Sequence, residues 1–388
     1  MTAILTLNTG SSSLKFGVYE DAVDPVLRFH GGVSNIGHGA TLTIEGDGRT
    51  RSAAIDAPDH HGALDRLMAA LRPHLAGLTV AGVGHRIVHG GLDFADPVEL
   101  TPAVVEALTQ LIPLAPLHQP QNLDGVRLAA RMVPDAVQIG CFDTAFHRGH
   151  PWVNDTFALP RTFYDAGVRR YGFHGLSYDY ITGHIAQAYP DLRHGKLIIA
   201  HLGNGASMCA VQDGRSVGST MGFSALDGLP MGTRCGQIDP GAVLYLIDQQ
   251  GMDPKDVLDL LYHQSGLLGL SGLTSDMRDL LAAGTPESAQ AIDYYVFRAR
   301  REIGALSAVL GGIDGLVFCG GIGENAPEIR GRIMQDMGYL GLSIDTHANE
   351  AGAAEIGAGP TRILVIPTDE ERVIARAVSV ALARRKAA

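Results

Sequence analysis

The feature that most restricts what this chain can fold into is a unit that occurs twice. Ile4 to Leu7 reads as a strand, Asn8-Thr9-Gly10-Ser11-Ser12-Ser13 as a loop of small residues, and Leu14 to Tyr19 as a returning strand. The same succession appears in Lys196 to Ala200, the loop His201-Leu-Gly-Asn-Gly-Ala-Ser207, and Met208 to Val211, closed by the hairpin signal Asp213-Gly214. Asn8 and Asn204 lie 196 positions apart in a chain of 388, so each unit opens one half, as an internal duplication would arrange them.

Between these units the apolar pattern alternates. Helical spacing is found in Ala63–Leu75, in Pro102–Leu111, from Asp239-Pro240 through Asp248, and in Glu287–Leu310, which runs into the stop signal Gly311-Gly312. Short β-branched runs separate the helices at Val137–Cys141, Leu197–Ala200, Leu316–Cys319 and Ile363–Ile366. Alternating strands and helices specify an α/β fold with a mainly parallel sheet in each half. A boundary falls near Arg148–Pro151, after Asp143 has ended one unit.

Composition narrows the function class. The net charge of −11 argues against a general nucleic-acid or anionic-membrane surface, while leaving room for a local cationic pocket. Cys141, Cys209, Cys235 and Cys319 are too dispersed for a zinc motif or a dense disulfide framework. The N-terminus lacks a signal-peptide pattern and no apolar run is long enough to span a bilayer, so a soluble cytoplasmic protein is expected.

Several motifs carry chemistry. The Asn8–Ser13 loop offers backbone N–H groups, three hydroxyls and nearby Lys15, which suits a phosphate as well as an ordinary hairpin. In Gly84-His85-Arg86-Ile87-Val88-His89-Gly90-Gly91, strand alternation puts Arg86 and Val88 on one face and the histidines on the other. A buried Arg86 needs an anionic partner, either a protein carboxylate or a ligand phosphate. Leu114-Ala-Pro-Leu-His118-Gln-Pro120 frames a single histidine, and Asp143 follows a strand, where it could hold a metal, act as a base or cap a turn. Arg169-Arg-Tyr-Gly-Phe-His174-Gly and Met231-Gly-Thr-Arg234-Cys-Gly add cations among small residues. Gly320-Gly-Ile-Gly-Glu-Asn325 follows a strand without a dinucleotide-binding pattern, and Asn325 and Pro327 look like a helix start. Thr368 and Glu371 form a potential capping box, while Glu370 offers a Mg²⁺ ligand. Jointly this inventory suits phosphoryl transfer with Mg²⁺, where positioning and charge neutralisation supply most of the catalysis.

Taken in order, Asn8-Thr-Gly-Ser-Ser-Ser-Leu-Lys15, Gly84–Gly91, Phe142-Asp-Thr-Ala-Phe-His147, Arg170-Tyr-Gly-Phe-His-Gly175, His201–Ser207, Met231–Gly236, Gly320–Asn325 and Thr368-Asp-Glu-Glu371 resemble the motifs of the acetokinase family. That family belongs to the acetate and sugar kinase, Hsp70 and actin superfamily. The resemblance implies a duplicated ribonuclease-H-like, actin-like ATPase fold, with two domains, the active site in the interdomain cleft, and a homodimer. It implies an N-terminal domain of residues 1–147 completed by 374–388, and a second, nucleotide-binding and dimer-forming domain of residues 148–373. It also implies ATP and acetate as substrates, ADP and acetyl phosphate as products, and Mg²⁺ as cofactor with Mn²⁺ able to substitute.

Carried over by motif, Arg86, Asp143, His174 and Arg234 would be catalytic. The two arginines would clamp the transferring phosphoryl and the acetate carboxylate, and His174 would hydrogen-bond the transferring group. Asn8 and Glu370 would hold Mg²⁺, with Asp143 organising it. Ser11, Ser13, Lys15, His201, Leu202, Gly203, Asn204 and Gly205 would meet the nucleotide phosphates. Asp276, Met277, Arg278, Gly321, Ile322, Gly323, Glu324 and Asn325 would surround the adenosine. Val88, Leu117 and Phe173 would enclose the acetate methyl, with His118 beside it. One departure stands out: Ser224-Ala225-Leu226-Asp227-Gly228 carries Ala225 where the family usually has proline, which bears on acyl preference.

The chemistry itself needs no general base, because a carboxylate acceptor with a pKa of about 4 to 5 is already ionised at neutral pH. The difficulty is bringing one anion to another, which favours direct in-line transfer over a phosphorylated enzyme. Two alternatives remain open from sequence. One is a propionate or butyrate kinase. The other is a nucleotide-driven conformational module of the actin or Hsp70 kind, which would need neither an acyl pocket nor a second arginine.

Overall fold

The computed structural model describes residues 2–10, 13–75 and 77–387. The chain divides into two compact units, residues 1–145 with 369–388, and residues 146–368.

In the first unit, β1 (Thr2–Thr9) and β2 (Leu14–Glu20) pair antiparallel around the first small-residue loop. β3 (Val26–Ser34), β4 (Thr41–Gly46) and β5 (Arg49–Ala54) extend that side as a meander. On the other side of β1 lie β6 (Thr79–Ile87), β7 (Val98–Glu99) and β8 (Val137–Phe142), giving the order β5-β4-β3-β2-β1-β6-β8-β7. In the second unit, β9 (Lys196–Leu202), β10 (Ala206–Gln212), β11 (Arg215–Ser219), β12 (Gly315–Cys319) and β13 (Arg362–Val365) follow the order β11-β10-β9-β12-β13.

The same core appears in both. β3-β2-β1 and β11-β10-β9 are antiparallel, whereas β1-β6-β8 and β9-β12-β13 are parallel. This is the duplicated ribonuclease-H-like α/β fold that the family resemblance implies; the sheets are mixed and not mainly parallel as the alternation of strands and helices suggests, because each half opens with an antiparallel strand–loop–strand hairpin. Burial explains the pattern. β8 and β12 are buried at every position, as parallel strands covered on both faces must be, whereas edge strand β5 is exposed throughout and carries Arg49 and Arg51.

Helix boundaries differ from the periodicity where local chemistry intervenes. The expected helix Ala63–Leu75 runs His60–Leu71, because Asp59 caps it through Gly62 N and Pro73 cannot continue it. Pro102–Leu111 is shortened to Pro102–Thr109, and the long helix is Pro286–Leu310, ended by Gly311 at φ 66°. The glycines before Asn325 are not a loop preceding a helix. They wind a helix of their own, Gly320–Asn325, before Pro327–Met334 begins. The Glu324 carboxylate accepts from Gly320 N at 2.8 Å, and buried Arg330 donates to the Gly323 and Glu324 carbonyls at 2.8 and 2.9 Å. These bonds offset the poor helix propensity of glycine.

The capping box expected from Thr368 and Glu371 does not form. The Asp369 carboxylate accepts from Arg372 N at 3.0 Å instead, one residue later than a Thr368 box would place the cap, and the Thr368 hydroxyl meets Ser177 at 2.8 Å. The helix Glu370–Ala387 completes the first unit and buries Ile374, Val378 and Leu382. Among the described residues no helix is long and apolar enough to cross a membrane.

Candidate active site

In the first unit the site is built on the ends of β1, β6 and β8. Arg86, next to last in β6, donates from Nε and Nη2 to both oxygens of Asp143, at 2.7 to 3.1 Å. Asp143 directly follows β8, and its N–H donates to the Ile87 carbonyl, which fixes it opposite the β6 end. Glu370, at the first turn of the last helix, stands 3.6 Å from Arg86 Nη1. The Arg86 side chain is 24% exposed and that of Asp143 is 2% exposed. Burial works against the guanidinium charge, but the carboxylates of Asp143 and Glu370 outweigh it and hold Arg86 above its ordinary value. The partner required by Arg86 is therefore a protein carboxylate. Burial, followed by the charge of Glu370, raises the neighbouring Glu371 above the usual carboxylate range.

Around this corner, Asn8 pairs across the hairpin with Lys15, and Ser13 accepts from Gly10 N at the loop's closure. Ser11 lies outside the described residues. Val88 follows the end of β6, and its N–H donates to the Asn122 side chain, which in turn donates to the Thr9 carbonyl at 2.8 Å. Leu117 and His118 precede the helix Gln119–Met132. His85, on the opposite face from Arg86, is buried and donates from Nε2 to Gln138 Oε1 at 2.8 Å. Burial lowers its pKa to about 4, so it is neutral at physiological pH.

In the second unit the site forms around the loop joining β9 to β10. His174 precedes the helix Gly175–Ala188 in a left-handed conformation, φ 56° and ψ 26°. Its ring stacks on His201 with centroids 4.3 Å apart. Gly205 has to be small: a Cβ there would stand 3.2 Å from His174 Nε2 and 4.0 Å from Arg234 Nη1. Gly232 is constrained in the same way, since its Cβ would fall 2.1 Å from Asn204 Oδ1. Gly232 N also donates to the Asn204 carbonyl, locking the Arg234 segment onto the loop. Arg234 donates to the Ala225 carbonyl at 3.3 Å and lies over the Tyr262 ring at 5.9 Å.

Beside this loop, Gly203, Asn204, Asp276, Met277, Arg278, Gly321, Ile322 and Asn325 line one cavity of about 700 Å³. Leu202 is buried at the end of β9. Gly323 and Glu324 lie in the short helix, where the Glu324 carboxylate is bonded to Gly320 N and Thr368 N rather than turned into the cavity lining. The Arg278 guanidinium pulls the Asp276 carboxyl down to about 2.

A matching family model and close relatives identify what this arrangement belongs to. The model of the acetokinase family matches residues 3–376. The acetate kinase of Methylocella silvestris is 51% identical, covering 96% of this chain and 96% of its own length. The crystal structure of Porphyromonas gingivalis acetate kinase superposes with a TM-score of 0.88 at 36% identity, covering 98% of this chain and 100% of that one. A propionate kinase structure from Francisella tularensis gives a TM-score of 0.91 at 34% identity, covering 97% and 99%. The chain belongs to the acetokinase family.

As an acetokinase-family kinase, the chain contains supporting residues that the motif reading passed over. Asn122 and Gln119 are buried carboxamides that hold the Val88–His89 turn, Gln119 by accepting from His89 N and donating to the His89 carbonyl. His147 sits at the end of a quoted motif, but its work is backbone support. Its Nε2 donates to the Phe173 carbonyl at 2.9 Å, so its Nδ1 accepts from Ser216 at 2.8 Å, and His150 Nε2 must then donate to that hydroxyl at 2.6 Å. Burial depresses His147 to about 4 and His150 to about 3, so both are neutral rings. Buried Phe173 and the left-handed His174 are held by this chain. Glutamine, serine and histidine in helical or strand patterns give no sequence signal for such roles, because the partners are distant in the chain.

Proposed function

We propose that the protein transfers the γ-phosphoryl group of ATP reversibly to the carboxylate of acetate, giving ADP and acetyl phosphate. One observation carries the reading: each unit holds an arginine fixed by groups distant in the chain. Arg86 is held by Asp143 and Glu370 in the first unit, and Arg234 is locked onto the Asn204–Gly205 loop in the second.

The acetate carboxylate is ionised at neutral pH and needs no proton removed, which leaves Asp143 free of a general-base role. Asp143 instead holds the Arg86 fork in a bidentate geometry that lysine could not provide. Arg86 and Arg234 neutralise the carboxylate and the transferring phosphoryl, and His174 donates to the phosphoryl oxygens in an in-line displacement. His201, Asn204 and Gly205 meet the nucleotide phosphates, with Ser11, Ser13 and Lys15 lining the phosphate approach. The cavity lined by Asp276–Arg278, Gly321, Ile322 and Asn325 takes the adenosine, and its size lies in the range of small-molecule sites.

The donor set fits Mg²⁺. Both Asp143 oxygens are bonded to Arg86, while the Glu370 carboxylate stands beyond hydrogen-bond length from it, and Asn8 adds a neutral oxygen. Mg²⁺ favours one or two such hard ligands together with water and substrate phosphate, and Mn²⁺ accepts the same donors. Glu370 and Asn8 would hold the ion, which when bound neutralises phosphate charge.

By likeness to the family's motifs, Val88, Leu117, His118, Phe173 and Ala225 are the residues proposed to contact the acyl group. Ala225 in place of proline, together with the likeness to a propionate kinase, supports a measurable side activity toward propionate. Exposed Leu244, Tyr245, Leu270, Leu273 and Phe297 support a homodimer through the second unit. We assign the enzyme to the cytoplasm.

The test is to incubate purified protein with ATP, Mg²⁺ and C1 to C4 acids and trap the acyl phosphate with hydroxylamine. Acetyl hydroxamate in largest yield is expected. ATP hydrolysis without hydroxamate from any acid would defeat the reading.

A further inference from the structure

Two neighbouring residues in the first turn of the helix Gly175–Ala188, Ser177 and Tyr178, serve the two stacked histidines through hydroxyl groups. Ser177 Oγ lies 2.8 Å from His201 Nδ1 and 2.8 Å from Thr368 Oγ1. Tyr178 OH lies 2.5 Å from Ser207 Oγ, which lies 2.9 Å from His174 Nδ1. Ser207 sits on β10 directly opposite His201 of β9, so both chains are anchored to one hairpin. Ser177, Tyr178 and Ser207 are fully buried.

We infer that Ser207 and Tyr178 are positioning residues that set the tautomer of His174, keeping its proton on Nε2. A serine hydroxyl has one proton to give, and Ser207 has two partners among these contacts. The phenol of Tyr178 is a far stronger acid than an alkyl hydroxyl, so Tyr178 donates to Ser207 and Ser207 donates to His174 Nδ1. With Nδ1 accepting, the neutral ring carries N–H at Nε2. That edge faces the loop, since it is Nε2 that a Cβ at Gly205 would approach. A donor there can meet a phosphoryl oxygen, whereas a lone pair would repel it. The consequence for catalysis rests on the phosphoryl-transfer reading above. The His201 chain branches instead, because Ser177 Oγ meets both the Thr368 hydroxyl and, at 3.8 Å, the Cys319 thiol, so no single acid sets its direction.

The experiment uses full-length protein with ¹⁵N-labelled histidine and long-range ¹H–¹⁵N correlation, with His174 assigned by difference from His174→Gln. Wild type should show His174 neutral with its proton on Nε2. Tyr178→Phe, which removes one oxygen and keeps the ring, should populate the Nδ1–H form and lower kcat while leaving KM for ATP and acetate unchanged. Ser207→Ala should do the same more strongly, by roughly 10- to 100-fold in kcat, the range seen when an outer hydrogen-bond partner of a functional histidine is lost. A wild-type proton on Nδ1, or a folded Tyr178→Phe with unchanged tautomer and kcat, would overturn the inference. If wild type carries Nε2–H but makes no acyl phosphate, the tautomer assignment stands and the function reading falls.

Discussion

The two halves share a core strand order but place different groups around their arginines. In the first, Arg86 is embedded among carboxylates, with Asp143 bidentate and Glu370 at 3.6 Å. In the second, the Arg234 guanidinium donates to the Ala225 carbonyl and lies over the Tyr262 ring, and the neighbouring imidazoles meet hydroxyls. A bidentate carboxylate lets a cation tolerate burial. The two units keep one core strand pattern and carry different side chains on it.

The strongest way to break that comparison is to remove each arginine. Arg86→Ala and Arg234→Ala should each lower kcat by about 10² or more, the usual cost of losing one preorganised charge donor. Arg86→Ala also removes the bidentate partner of the buried Asp143 carboxylate and should cost about 3–5 kcal/mol of stability, read as an earlier urea midpoint. Arg86→Lys should restore little activity. An unchanged midpoint for Arg86→Ala, or full rescue by lysine, would show that the bidentate fork is dispensable.

Smaller effects sharpen the contrast. Gly205→Ala should lower kcat about tenfold, since misplacing a reacting group by 1 Å can cost roughly 10² and this Cβ displaces His174 by less. Unchanged kcat in the folded variant would show that His174 has slack.

Acid stability should report mainly on the second unit. Folded pKa values of about 4 for His147 and about 3 for His150 lie below the unfolded value of 6.5, so the unfolded chain binds more protons between these limits. Their contribution is complete above pH 6.5 and is lost as pH falls toward 4, at up to about 1.4 kcal/mol per pH unit each. His85 adds a similar component in the first unit. Urea midpoints from pH 7 to pH 5, in wild type and His147→Gln, measure it, and parallel profiles would refute the assignment.

The smallest expected effect is acyl preference. One methylene is worth about 1–3 kcal/mol, so propionate should remain a substrate, with acetate preferred and butyrate poor. Ala225→Pro should raise the acetate-to-propionate ratio of kcat/KM by a few-fold, within that range. An unchanged ratio would remove Ala225 from the pocket wall.

What could be read in advance was periodic or local. The strand–loop–strand repeat announced the duplication, Asp239-Pro240 began a helix and Gly311 ended one. The register of the last helix was misjudged by one residue because Thr368 and Asp369 are equally good caps locally. Only packing assigned the Thr368 hydroxyl to Ser177, 191 positions away.

By itself, then, the amino-acid order determined the elements whose physics is short-range: alternation along strands, turn glycines, helix caps and the sign of each charge. Tertiary structure decided which charges and hydroxyls meet. Arg86 and Asp143 are 57 positions apart, Val88 and Asn122 34, and His174 and Ser207 33. No periodicity links such pairs, because a hydrogen bond acts over about 3 Å of space and is indifferent to distance along the chain. The fold brings them together by aligning the ends of its central strands, and that alignment is what turns separate motifs into a site.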